Sequence, residues 1–197
     1  GGSGVGLTAL SNGTVATEDI VERLRRVKHP EEIETTRRAV ACAEGAFDEL
    51  RGWLRPGVTE KAIARRLEEA MRAGGAEGPS FPIIVAAGPN SALPHATPGD
   101  RAVQAGEPLL LDWGARLDGY CSDLSRTLVL GRPDRRFQEV FAVVADAQAR
   151  AVEALFHLSS GREVDAVARR HIADAGFPDA FGHSLGHGTG LDSHEAP

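Results

Sequence analysis

A chain of 197 residues, 42% hydrophobic and 25% charged, has the make-up of one ordinary globular domain long enough to bury a substantial core. A net charge of −6 with no basic stripe disfavours a nucleic-acid partner, and no apolar run approaches the ~20 residues of a membrane span. Two cysteines, Cys42 and Cys121, make neither a disulfide framework nor a Cys-x-x-Cys pair, and no basic-plus-apolar leader is read, so a cytoplasmic protein is expected.

Gly1 to Gly4 reads as a flexible linker and Ser11 to Thr17 as polar and turn-like; residues 1–23 are taken as a linker or residual N-terminal segment, and 24–197 as the domain. A helix is predicted after His29-Pro30, with Glu31, Glu32 and Glu34 near the positive end of its dipole. Its inward face is read as Ile33, Val40, Phe47 and Leu54 at intervals of seven, filled in by Ala43 and Leu50. Arg55-Pro56-Gly57 breaks it. Thr59 can cap a second helix carrying Ile63, Leu67, Ala70 and Met71, which stops at Gly74-Gly75. Phe81 to Ala87 reads as a buried strand and Gly88 to Gly99, with His95, as a loop of turn residues. After a hairpin at Leu109 to Leu130, a third helix is expected over Asp134 to Phe156, with Phe137, Val140, Phe141, Val144 and Val152 inward, and a fourth over Val164 to Ala175. The last stretch, Phe181 to Pro197, is too rich in glycine for a helix.

The order helix, helix, strand, hairpin, helix, helix suggests an internal duplication. Ala64-Arg65-Arg66 and Ala168-Arg169-Arg170 share an offset of 104, as do Gly57 and Gly161. On that offset the counterpart of Asp112 lies beyond Pro197, so a second hairpin is expected outside this sequence.

Within the first hairpin, Asp118-Gly119 is a strong turn signal between β-prone runs. A loop of Leu117-Asp118 sets Asp112 directly opposite Asp123; a loop of Asp118-Gly119 sets them one diagonal step apart, with Cβ atoms ~7–8 Å from one another. Two carboxylates on one face need a shared proton or a cation between them. Asp112 stands between Leu111 and Trp113, where burial without a partner costs several kcal/mol; Asp123 could instead hydrogen-bond with Ser125 or Arg126.

Three of the seven histidines, His183, His187 and His194, fall in the last fifteen residues. His183 and His187 share a face on an extended segment, and a bulge near Gly188 or Gly190 would bring His194 to it. Imidazole nitrogen with carboxylate oxygen suits Zn, Mn, Co or Fe. His95 fits a structural role as well as a functional one. Other chemistries fit less well: Gly182-His-Ser184-Leu-Gly186 spells a serine-hydrolase elbow but opens no helix, and neither His-Glu-x-x-His nor a Walker loop is present. A glycosidase pair of carboxylates would leave the histidines idle.

Leu111-Asp112-Trp-Gly, Gly119-Tyr-Cys-Ser-Asp123-Leu-Ser-Arg-Thr, and Gly182-His183-Ser-Leu-Gly-His187-Gly-Thr-Gly with His194-Glu-Ala-Pro together resemble the creatinase/aminopeptidase superfamily. Ala87-Gly-Pro-Asn-Ser-Ala-Leu-Pro-His95 is similar to its Xaa-Pro dipeptidase and aminopeptidase branch. The resemblance runs from about Leu24 to Pro197 and implies an α+β pita-bread fold, with pseudo-symmetric helix-helix-hairpin repeats around a curved antiparallel sheet, incomplete at the C-terminus.

It further implies two divalent ions (Mn, Co or Zn), with Asp112 binding one through both oxygens, Asp123 bridging and His187 on the other. His95, His183 and His194 would hold substrate and stabilise the transition state. The implied activity is hydrolysis of the bond between an N-terminal residue and proline by a metal-bridged hydroxide, on a peptide with proline second; a homodimer is compatible with it. Two family glutamates expected downstream of His194-Glu195 are absent, which leaves a non-catalytic peptide- or protein-binding domain as one alternative and methionine aminopeptidase as another.

Overall fold

The computed structural model describes residues 19–196. The expectations for Gly1 to Gly4 and Ser11 to Thr17 therefore lie outside the described residues. Helix α1 (Ile20–Arg26) already begins inside the span read as linker. Helix α2 (Pro30–Trp53) opens with a proline at its first position and a capping box, His29 N–H donating to Glu32 Oε2 at 2.7 Å. Helix α3 (Glu60–Ala73) is capped by Thr59, whose hydroxyl accepts from Ala62 N–H at 3.2 Å, and ends at Gly74. Among the described residues, no helix is long and apolar enough to cross a membrane.

The strands are β1 (Gly78–Pro79), β2 (Ile84–Ala87), β3 (Pro108–Trp113), β4 (Ala115–Leu117), β5 (Tyr120–Cys121) and β6 (Leu124–Val129). β2 is shorter than the expected Phe81 to Ala87; Pro82 has no N–H to donate to a ladder, and pairing starts only at Ile84. Among the described residues all pairing is antiparallel, in two three-stranded sheets ordered β1-β4-β5 and β2-β3-β6. One long hairpin runs through both. Leu117 pairs with Tyr120 and Asp112 with Ser125, so the register is unbroken from the turn inward. Asp118 (φ 50°) and Gly119 (φ 80°) form the two-residue turn, with both residues left-handed as a type I′ hairpin requires. The sheets part at Gly114, where a Cβ would sit 1.8 Å from Ser122 O.

α2 lies across this hairpin closely enough that Ser122 Oγ donates to Ala39 O (3.1 Å) and Trp113 Nε1 to Ala43 O (3.0 Å). Such an approach leaves room only for small side chains. The buried face of α2 is accordingly Ala39, Ala43, Ala46 and Leu50, while Ile33 of the expected heptad stripe is 40% exposed. The main core joins these to Ile63, Leu67 and Met71 of α3 and to Val85, Leu109, Leu111 and Trp113 of the sheet.

Helices α4 (Arg135–Ala154) and α5 (Gly161–Asp174) pack on each other around a second, smaller cluster of Ala147, Ala151, Val164, Ala168 and Ile172. The expected inward face of α4 is not buried. Phe141 is 49% exposed, Val144 53% and Val152 51%, because the alanine face takes the contact with α5.

Candidate metal centre

β3 alternates strictly, with Leu109, Leu111 and Trp113 buried and Pro108, Leu110 and Asp112 half-buried. Trp113 stacks on Phe47 at 5.1 Å between ring centroids, and this pins the strand so that Asp112 can only face the other way. The observed register selects the diagonal arrangement of the two aspartates. Ser125, directly across from Asp112, donates from Oγ to Asp112 Oδ1 at 2.8 Å. Ser125 thus serves Asp112, not Asp123, and Arg126 turns to the carbonyl of Ser125 (2.8 Å) instead of neutralising Asp123.

The histidines arrive on a loop closed by its own backbone. Gly188 N–H donates to Glu195 O (2.9 Å) and Glu195 N–H to Gly188 O (2.8 Å), so residues 187 and 194, each just before a member of this pair, are carried together. A Cβ on Gly188 would lie 2.7 Å from Ala196 O, so only glycine permits the closure. The loop docks on the edge of β5 through Cys121 N–H to Gly190 O at 2.7 Å. His194 reaches the group because the loop closes on itself between Gly188 and Glu195, and not through a bulge in one extended segment.

Asp123, His187 and His194 each offer a ligand atom within 4.8 Å of the others. The imidazoles stack at 3.7 Å, and His187 Nε2 lies 3.3 Å from Asp123 Oδ2. His187 Nδ1 is 2.8 Å from Gly188 O, and since a carbonyl only accepts, Nδ1 carries the hydrogen. Nε2 then meets the carboxylate as a lone pair facing a lone pair unless a proton or a cation stands between. Donors to one tetrahedral ion, each ~2.1 Å away, lie ~3.4 Å apart. The spacing fits. Burial pushes the Asp123 carboxyl above its ordinary value and the charge of Asp112 adds to this, while His187 and His194 pull it down. Asp112 stands outside the tight group, but its charge is felt there.

His183 and His95 are not brought into this group. The backbone turns at Gly186 (φ 66°), so His183 and His187 do not share an extended face. His183 instead packs edge-on against Phe181, its carbonyl held by Arg169 Nη2 at 2.8 Å beside α5. His95 is exposed in the loop after β2.

Sequence reasoning missed the role of Glu195, read only as lying outside the family's glutamate positions. Its side chain is 8% exposed and accepts from Arg25 Nη2 (2.5 Å) and Lys28 Nζ (2.9 Å). Burial opposes its ionisation, yet the hydrogen bonds from Lys28 and Arg25 prevail and hold the carboxyl down at about 2. The signal available was the pair of cations before α2, but nothing in their spacing pointed some 170 residues along the chain.

Comparison with known proteins gives a consistent result. The profile of metallopeptidase family M24 matches residues 34–197. An uncharacterized peptidase of Bacillus subtilis, YqhT, is 43% identical over 183 residues, covering 93% of this chain and 52% of its own. An Xaa-Pro dipeptidase of Pyrococcus furiosus is 39% identical over 180 residues, covering 91% and 52%. Among solved structures, an X-Pro aminopeptidase from Thermotoga maritima superposes with a TM-score of 0.87 at 42% identity, over 92% of this chain and 51% of that one. The chain thus spans about half the length of the curated relatives it matches. The α+β pita-bread expectation holds, with its antiparallel strands divided between two sheets.

Proposed function

The chain belongs to metallopeptidase family M24, and on that premise we propose that the protein hydrolyses the bond between an N-terminal residue and a following proline, as an Xaa-Pro dipeptidase or aminopeptidase using two divalent ions. The observation that carries this reading is the approach of His187 Nε2 to Asp123 Oδ2 at 3.3 Å, an arrangement that takes a proton or a cation between them, beside the second aspartate on the hairpin. Asp112, Asp123 and His187 are the ligands in this reading, and Mn, Co and Zn all suit their oxygen and nitrogen donors. Ions held there supply Lewis acidity to the scissile carbonyl and make water nucleophilic near neutral pH.

The chain's own groups do the rest. Ser125 orients Asp112 by donating to Oδ1, which leaves Oδ2 free, and the Gly188 carbonyl fixes the His187 tautomer so that Nε2 faces the site. His194, stacked on His187, can donate to the developing oxyanion, and His95 and His183 hold the peptide in the same reading. The test is hydrolysis by the full-length protein loaded in turn with Mn, Co and Zn. Release of free proline from Xaa-Pro, or of the N-terminal residue from Xaa-Pro-Xaa, is expected. Intact Xaa-Pro peptides with all three metals would overturn the reading, and preferential cleavage of Met-Ala peptides would replace it with methionine aminopeptidase.

A further inference from the structure

Residues 88–99 leave the end of β2 as a 3-10 turn (Gly88–Ala92) and come back to the start of α3, where Lys61 N–H donates to Gly99 O at 3.1 Å. The excursion buries little of its own. Leu93 at its tip is 55% exposed, and Pro94 and His95 beside it are exposed as well. Its placement therefore depends on polar ties at its base.

Those ties converge on one side chain. Glu60, the first residue of α3, is 0% exposed. Its Oε1 accepts from Ala87 N–H (2.8 Å) and Asn90 Nδ2 (2.9 Å), and its Oε2 from Gly99 N–H (2.9 Å). The donors to the two oxygens come from opposite ends of the same excursion. Among the described residues no Lys or Arg pairs with this carboxylate, so N–H groups alone compensate its burial. Arg101 Nε, donating to Ala87 O at 2.9 Å, braces the same corner. We propose that Glu60 is a positioning residue, whose carboxylate clasps both ends of the 88–99 segment and so sets where His95 is presented to substrate. The clasp stands on the geometry; the part about substrate rests on the function proposed above.

A carboxylate can accept on both sides, whereas an amide at the same place must turn its NH2 towards one set of N–H donors. In the present chain, Glu60→Gln should therefore speed amide deuterium uptake across residues 88–99 by about tenfold or more, the worth of a lost charge-assisted hydrogen bond. Uptake over β3 should stay as it was. Asn90→Ala removes one donor without touching the buried group and should give a smaller increase at the same place, which serves if Glu60→Gln does not fold. Unchanged uptake over 88–99 in every variant that folds would overturn the proposal. In the full-length protein, Glu60→Gln and His95→Ala should move the same parameter, KM or kcat, on an Xaa-Pro peptide, with the double variant no worse than His95→Ala. Effects that multiply would show that Glu60 does not act through His95. If the unaltered protein cleaves no such peptide, the functional reading fails separately, and deuterium uptake still decides the clasp.

Discussion

The hairpin that carries Asp112 and Asp123 and the loop that carries His187 and His194 meet at one point but are held by different means. The hairpin is fixed by register, by an Asp118-Gly119 turn, and by Leu109, Leu111 and Trp113 buried beneath it. The loop is fixed by one backbone pair, one hydrogen bond to β5, and the Glu195 carboxylate between Arg25 and Lys28. Covalent order places one half of the site on rigid structure and the other on a few polar contacts. Changes in the hairpin should therefore cost stability first, and changes in the loop should cost site geometry first.

The largest effect is expected at Gly114. An added Cβ meets the backbone of Ser122 at 1.8 Å, so Gly114→Ala should lower the unfolding free energy by more than about 3 kcal/mol in urea titrations. A loss under 1 kcal/mol would mean that the hairpin relaxes easily, and the contrast would weaken. Next is Glu195→Gln, which removes the anion from between Arg25 and Lys28 and turns an NH2 that cannot accept towards one of them, at a cost of about 1–2 kcal/mol. Because the folded carboxyl lies at about 2, below its ordinary 4.5, its stabilisation is complete above that ordinary value and is lost as pH falls towards 2. The variant should show a flatter loss of stability across that window; an unchanged acid profile would count against the clamp.

Asp123→Asn should act in the opposite direction. Burial and Asp112 disfavour the ionised carboxyl in the metal-free protein, so removing its charge should raise the stability of that form at neutral pH, read as a higher urea midpoint. The sign follows from the raised folded value: the group opposes folding as pH rises past its unfolded titration. A destabilised metal-free variant would show that the carboxylate is compensated already. The smallest effect is expected on α4, where Phe141→Ser should change stability by no more than about 0.5 kcal/mol. A loss above about 2 kcal/mol would show that this face is covered after all.

What was legible in the sequence was what short-range chemistry decides. Thr59 has a hydroxyl where a helix needs a cap, and Asp118-Gly119 tolerates the left-handed backbone, so the cap, the turn and the alternatives for the aspartate register followed from neighbours in the chain. Hydrophobic period located α2 and α4 and set Ala43, Phe47 and Leu50 of α2 and the Leu54 after it on the core, but it put Ile33 there in place of Ala39 and Ala46 and misplaced the buried face of α4. Alanine wins on α2 because the hairpin backbone comes close, and on α4 because α5 does, and neither approach is written in the helix itself. The same limit applies at the site. Asp112, Asp123 and the three histidines of the last segment stand out by residue type and spacing, and the resemblance alone selects His187 among them; the closure of Gly188 on Glu195 is a backbone pairing that side-chain patterns do not encode, and the clamp from Arg25 and Lys28 joins segments distant in the chain.

The most direct test of the central claim is calorimetric titration of the chain with Mn, Co and Zn, beside Asp123→Asn and His187→Ala. Saturable binding of at least one equivalent is predicted, weakened in both variants by more than the ~10–100-fold that outer-shell changes cost. No binding, or binding that survives both substitutions, would contradict the assignment of the Asp123–His187 pair to a metal.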